Sequence, residues 1–598
     1  MESVFTSFME HASKRDALLE KMRTQPCSNA ELAALLADPS ENLFVKAWAA
    51  HLFRQQDPDG YHSAATRQIR SFTEPVVVPA DLGLGEKEVL TLFFGMQSAE
   101  WNDEKMLMAA IQGMVNRGGP MIYYDPKNWP GTWSGDPDCW YNHYGKDYGY
   151  TFRRTDGKTS EAILEDLLQR TLALFNGIVL YDTDNWEYYN CFLAYNVANH
   201  TFSLPVSKRL YNGHPNWFKN AQIVEAFDVE SPMDETATYR WLMDYILPLC
   251  DRTGIQPLAW DGDFANRDRV PAVDYAYYRR FFIHGLSSGD QYREIMTSLE
   301  KPAVDWGWNT SGESVCSNFG HYQNATIQGS CNLSFHTGVK PLKKPPYRQS
   351  FLPKIDTPEK KLYLAVVANE GDITGVLTTQ YKGAWNSFAR GRVPLNWAIN
   401  ADYARYFPAM VEYFFQTKTD NDYFTGGPSG AGYIHPEKMT PEDLDVFAKH
   451  TNRAFTEGIE LRDAVLWVAD KPEIWETFAR NIPSLQLLDI NPHPRRIPYG
   501  DMKFTQSGVP VLFESSRIHY WYPLYQNQDR VAVMESKIME IYENVPKPYY
   551  SVMYSCEITA PDDVLQLSQR LDPNKVEFID LNTMAHLIQA GSPNDCRK

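Results

Sequence analysis

The stretch KLYLAVVANEGD, residues 361–372, decides the fold. From Leu362 to Ala368 every residue is apolar or aromatic, and Asn369, Glu370 and Asp372 follow at once. A run this short and continuous reads as a strand buried on both faces, as in a parallel sheet covered by helices. Downstream the same unit recurs as PLNWAIN (394–400), DYFTGG (422–427), DAVLWVAD (463–470), LQLLDI (485–490), VPVLFESS (509–516) and PYYSVMYSCE (548–557). Upstream it is foreshadowed by PAVDWGW (302–308). Amphipathic stretches such as DYARYFPAMVEYFFQT and PEDLDVFAKHTNRAFTEG separate several of these runs. Eight strands alternating with helices fit a (β/α)8 barrel better than an open sheet. VEAFDV (224–229) and PLAWDGD (257–263) compete for a place in it.

The remainder of the chain is organised differently. Residues 1–75 read as a helical appendage, in which Ser28 followed by Glu31 has the spacing of a capping box. Residues 76–220 read as an N-terminal α/β layer domain: EVLTLFFGMQ and PMIYYD are strand-like on either side of the helical DEKMLMAAIQGMVNRGG. SEAILEDLLQRTLALFNG and GIVLYD repeat the rhythm. Residues 221–598 are assigned to the barrel-like domain.

Charge and composition exclude several classes. With 57 basic against 75 acidic residues the formal charge is −18, which repels phosphate backbones and anionic membranes. No run approaches the ~18 apolar residues of a membrane span. The opening MESVFTSFMEHASKRDALLEKM has no apolar signal core, so the expected compartment is the cytoplasm. Eight cysteines without a C-x-x-C suggest neither a disulfide framework nor a zinc site, and only Cys316 and Cys331 could plausibly bridge. HExxH, a Walker A loop and a strand-borne GxGxxG are missing, and no His/Asp cluster has ligand spacing. No metal and no cofactor are expected.

If the barrel holds, its chemistry belongs at the C-terminal ends of the strands. Acids cluster there: Asp261, Asp263, Asp305, Glu370, Asp372, Asp470, Asp489, Glu514 and Glu557. Each could equally be a helix N-cap or a first-turn acid. The loop TGGPSGAGYIHPEK (425–438) is the most distinctive. Its glycines either allow tight packing or let a ligand reach the backbone, with Tyr433 stacking or donating a hydrogen bond.

Within that loop, Gly430-Ala431-Gly432-Tyr433-Ile434-His435-Pro436 resembles the defining motif of the GxGYxYP putative glycoside hydrolases, with His435 where the second Tyr is usual. IQGMVNRGGPMIYY (111–124), WGWNTSGESVCSNFGHYQNATIQGSCNLSFH (306–336) and the C-terminal KPYYSVMYSCEITAPDDVLQLSQRL and VEFIDLNTMAHLI are similar to further family segments. The resemblance spans roughly residues 85–590. It implies an N-terminal α/β region, a C-terminal barrel-like domain and glycoside hydrolysis. Where the family has Asp-Gly-Asp-Asn, this chain has Glu370-Gly371-Asp372-Ile373, so the acid pair survives and the Asn does not.

Glycoside cleavage generally needs two carboxyl groups, one to protonate the leaving oxygen and one to act as nucleophile or base. Glu370 and Asp372 are the local candidates, Glu514 the best distant partner and Glu313 the alternative. Trp306, Trp308, Trp385, Trp397, Tyr433, His435, Trp467 and Trp521 could form a sugar-binding surface. Arg390 could hold an acidic sugar. The expected function is hydrolysis of an oligo- or polysaccharide. The rivals are a polysaccharide lyase, which would need a base and a cation rather than an acid pair, and a non-catalytic carbohydrate-binding protein.

Overall fold

The computed structural model describes residues 2–38, 82–92, 103–125, 138–155, 159–181, 188–227, 246–257, 273–284, 289–307, 312–325, 331–369, 373–491, 497–515, 529–555 and 560–591, with a few isolated positions between them. The chain divides into two compact units. The first comprises residues 1–128, 151–258 and 272–298, and the second residues 129–150, 259–271 and 299–598.

The first unit opens with helices Glu2–Thr24 and Asn29–Ala37. The anticipated capping box is formed: Glu31 N donates to Ser28 Oγ, and Ser28 N donates to Glu31 Oε2 at 2.8 Å. Its strands are all parallel. β1 (Glu88–Leu92) lies between β2 (Ile122–Tyr124) and β3 (Thr151–Arg154). β4 (Ile178–Tyr181) lies between β5 (Leu204–Ser207) and β6 (Ile223–Phe227), and β7 (Gly254–Pro257) pairs with β8 (Phe282–His284). The NRGGP signature is structural here. Asn116 Oδ1 accepts from the N–H groups of Met121 and Ile122, clamping the end of helix Asp103–Asn116 to the start of β2. Arg117 Nη2 donates to Asn199 Oδ1 at 2.7 Å.

In the second unit β9 (Val304–Asp305) and β10 (Tyr322–Gln323) form a short parallel pair. Next come β11 (Leu362–Ala368), β12 (Leu395–Ile399), β13 (Asp422–Gly426), β14 (Asp463–Leu466) and β15 (Leu487–Ile490). β16 (Asp501–Phe504), β17 (Pro510–Phe513), β18 (Tyr549–Ser555) and β19 (Val576–Phe578) complete the set. The sheet order is β16-β17-β15-β14-β13-β12-β11-β18, parallel throughout except for β16, and β19 adds to β11. It is a strongly curled, barrel-like sheet. Glu514 draws its two ends together, since its Oε1 accepts the backbone N–H of Tyr554 on β18 at 2.9 Å.

Seven of the eight anticipated strands lie in this sheet. The exception is PAVDWGW, whose strand β9 pairs with β10 instead, while the unanticipated β16 fills the eighth place. Strand periodicity directs Tyr363, Ala365, Val367, Tyr423, Val465, Leu487, Leu512 and Val552 into the sheet's concave core. Helix Leu581–Gly591 packs Leu581, Met584, Leu587 and Ile588 into the same cluster. Its Leu587 carbonyl accepts from Tyr550 OH, near the start of β18, so the helix covers the N-terminal end. Among the described residues, no helix is long and apolar enough to cross a membrane, and Cys316 and Cys331 are not joined in a disulfide.

Candidate active site

The alternation that fills the core with apolar side chains continues past the strand ends, where the residues become polar. Asn369 follows Val367, Asp489 and Asn491 follow Leu487, and Glu514 follows Leu512, each on the inward face. All four are buried. Neither polar atom of the side chains of Asn369, Asp489 and Asn491 has a hydrogen-bond partner among the described residues. A buried polar group left without a partner costs about 1–3 kcal/mol. Concentrating several at one end of a sheet is the signature of groups held for a ligand. The chain also runs close to them: a Cβ added to Gly427 would lie 3.4 Å from Asn369 Oδ1 and 3.2 Å from Val465 Cβ.

Burial drives Asp489 well above the usual carboxylate range, and the charges of Glu514 and Asp463 push it further. The folded chain therefore keeps a proton on Asp489 at pH values where the unfolded chain has lost it. That contribution to stability is present in acid and is lost as pH rises from about 4. Asp489→Asn removes the penalty. Its stability in urea or thermal denaturation is expected to match the wild type below about pH 4 and to exceed it increasingly as pH rises toward 7. A gain independent of pH would contradict the assignment.

The Gly-rich loop leaves β13 and turns back under tight constraint. Ser429 and Gly430 have φ of +59° and +89°. Ser429 Oγ accepts the backbone N–H of Trp467 at 3.1 Å, fixing the loop to the end of β14. The spaces beside the glycines are filled by protein. A Cβ on Gly430 would lie 2.5 Å from Thr451 Cγ2, and one on Gly432 only 1.9 Å from Tyr322 Cδ2. Tyr322 OH in turn donates to Asp402 Oδ2 at 2.5 Å, and His450 Nε2 lies 2.7 Å from the same oxygen. Packing, rather than ligand approach, accounts for these two glycines. Tyr433 exchanges two backbone hydrogen bonds with Gln323, at 2.8 and 2.9 Å, and its ring meets Trp467 edge-on at 5.3 Å.

The sequence candidates separate into three groups. Glu514 lies among the inward polar residues, and Tyr433, His435 and Trp467 form an adjoining aromatic group in which Trp467 is partly exposed. Trp306, Trp385, Trp397 and Arg390 do not join them. Trp306 is fully buried against Tyr406 and Phe407. Trp397 alternates with the inward Asn396 and Ala398, so it points outward and packs on Trp385 and Tyr381. Its Nε1 donates to Asp422 Oδ1 at 2.8 Å. Arg390 lies 4.2 Å over the Trp385 ring and pairs with the same Asp422, the first residue of β13 and so at the opposite end of the strands. The third group, Glu370, Asp372, Glu313, Trp308 and Trp521, lies outside the described side chains.

Asn369 and Asn491 are not among the candidates legible in the sequence, and Asp489 stands there only as one strand-end acid among nine. Asp489 was visible as a strand-end acid, but an N-cap reading fits such a residue equally well. The missing signal was register, the matching of each polar residue to the apolar one two places before it.

Residues 360–589 match the family profile described as the GxGYxYP putative glycoside hydrolase C-terminal domain. The crystal structure of a putative hydrolase from Bacteroides thetaiotaomicron VPI-5482 superposes with a TM-score of 0.69 at 18% identity, covering 85% of this chain and 96% of that one. That likeness is one of fold. A putative polysaccharide deacetylase from Mycobacterium smegmatis aligns over 40% of this chain and 95% of its own at 8% identity, and its TM-score of 0.28 is too low to bear on the architecture. No curated protein matches the sequence.

Proposed function

We propose that this chain, whose residues 360–589 match the C-terminal domain profile of the GxGYxYP putative glycoside hydrolases, hydrolyses a glycosidic bond at the C-terminal end of its curled sheet. The observation that carries the reading is that the buried Glu514 and Asp489 share the inward face at the strand ends with the unpartnered amides of Asn369 and Asn491. Amide groups offer both donors and acceptors, which suits a ring of sugar hydroxyls. Glu514 takes the part of nucleophile or of base on water. Its bond from the Tyr554 N–H holds one oxygen in place. Trp467 offers a partly exposed aromatic face at the rim of the site. Glu370 and Asp372, one and three residues beyond Asn369 in the chain, are further carboxylates available to the same reaction.

Hydrolysis and elimination leave different products. Incubation of the protein with a panel of neutral and uronate-containing glycans in H2¹⁸O is expected to release new reducing ends carrying one ¹⁸O. Cleavage that yields an unsaturated uronate without ¹⁸O would assign a lyase. Binding of a glycan with no bond cleaved would assign a binding protein.

A further inference from the structure

The motif loop does more than pack. β9 ends on Asp305, whose register partner on β10 is Gln323, and Gln323 is bridged in antiparallel fashion to Tyr433. Directly paired residues on adjacent strands point to the same side, so a carboxyl, an amide and a phenol share one face. Asp305 and Gln323 are almost wholly inaccessible to solvent, at 1% and 0% exposure, and neither atom of the Gln323 amide has a partner among the described residues. Asp305 Oδ1 accepts the N–H of Gly307 at 2.9 Å. This face reaches the C-terminal end of the curled sheet through Tyr433, whose ring meets Trp467 just beyond β14 at 5.3 Å, and β10 itself is held there through the residue that follows it. Asn324 N donates to the Asp305 carbonyl, Asn324 Oδ1 accepts from Asn400 just after β12, and Asn324 O accepts from Thr374, five residues beyond Asn369.

We propose that Asp305 is the proton donor to the leaving-group oxygen, with Gln323 and Tyr433 beside it contacting the departing sugar. The inference rests on the hydrolase reading above. As the bond from the anomeric carbon to the glycosidic oxygen breaks, its electron pair passes to that oxygen, which takes the Asp305 proton and departs as an alcohol. Water then supplies the hydroxyl to the anomeric carbon, and its other proton restores a carboxyl group. Burial supports this role by pushing Asp305 up to about 7, with only the Gly307 N–H opposing it. The titratable groups that the motif loop brings next to Gln323 are Tyr433 and, with its ring 6.2 Å away, His435.

The test compares phenyl and 2,4-dinitrophenyl glycosides of whichever sugar the wild type cleaves. A proton donor matters for the poor leaving group and hardly at all for the good one. Asp305→Asn, which keeps the Oδ1 acceptor for Gly307, is expected to slow phenyl glycoside hydrolysis by about 10²–10⁴-fold. The loss on the dinitrophenyl substrate should be no more than about tenfold, because proton donation matters little for that leaving group. Equal losses on both, or no loss on either, overturn the proposal while leaving the hydrolase reading intact. Should the variant not fold, the wild type itself decides. Its kcat/KM must fall above about pH 7 for the phenyl substrate alone, and a parallel fall for both overturns the assignment. Absence of turnover on every glycoside overturns this inference together with the reading beneath it.

Discussion

Glu514→Gln is expected to lower kcat/KM on a susceptible glycan by about 10³-fold or more, equivalent to about 4 kcal/mol of transition-state stabilisation. The amide is nearly isosteric and its oxygen can still accept the Tyr554 N–H that links β17 to β18, so the curl of the sheet should persist. What disappears is the charge. Losing it removes the nucleophile or base, and it also removes one of the two charges that raise the Asp489 carboxyl. The variant should therefore melt no lower than the wild type while being nearly inactive. The pair of readouts distinguishes chemistry from folding: an inactive protein that has also unfolded would say nothing of catalysis. A folded variant retaining more than about a tenth of wild-type activity would remove Glu514 from the mechanism.

Gly432→Ala is expected to be the most destabilising single-methyl change in the motif. The new Cβ would sit 1.9 Å from a ring carbon of Tyr322. That ring has no room to retreat, being fully buried, hydrogen-bonded through its hydroxyl to Asp402, and packed against Phe447 and His450 at centroid distances of 5.6 and 5.5 Å. Overpacking of a well-filled core costs about 1–3 kcal/mol, and more where no side chain can yield. A loss of at least about 3 kcal/mol is expected, or failure to fold. Removing the obstacle should reverse part of it, so Tyr322→Ala/Gly432→Ala should be more stable than the sum of the two single losses implies. Strict additivity would mean that the glycine serves some purpose other than admitting the Tyr322 ring.

The strands of the curled sheet were legible because continuous apolar runs such as LYLAVVA have few other homes in a chain of this composition. The misplacement of PAVDWGW has a simple cause. An apolar run reports burial and says nothing of its neighbour, and of its described residues only Val304 and Asp305 enter a ladder. The tryptophans misled for a related reason. Trp397 occupies a strand that reaches the polar C-terminal end of the sheet, but alternation points it outward, toward Trp385 and Tyr381. The same alternation, applied to Asn369, Asp489 and Asn491, turns residues that look like caps or turn formers into an inward polar cluster. At the His435 departure, the hydrogen bond to Ser317 Oγ comes from the backbone N–H, which any residue but proline supplies. Ile373, in place of the usual Asn, is fully buried at the start of helix Ile373–Thr378.

The location of the sugar is the most direct test. A crystal structure of the Glu514→Gln protein soaked with a glycan that the wild type cleaves is expected to place a sugar ring at the C-terminal end of the curled sheet. Its hydroxyls should lie within hydrogen-bond reach of the Asn369 and Asn491 amides, with Trp467 at its rim. A glycan seated instead at the other end of the strands, over Trp385 and Arg390, would contradict it.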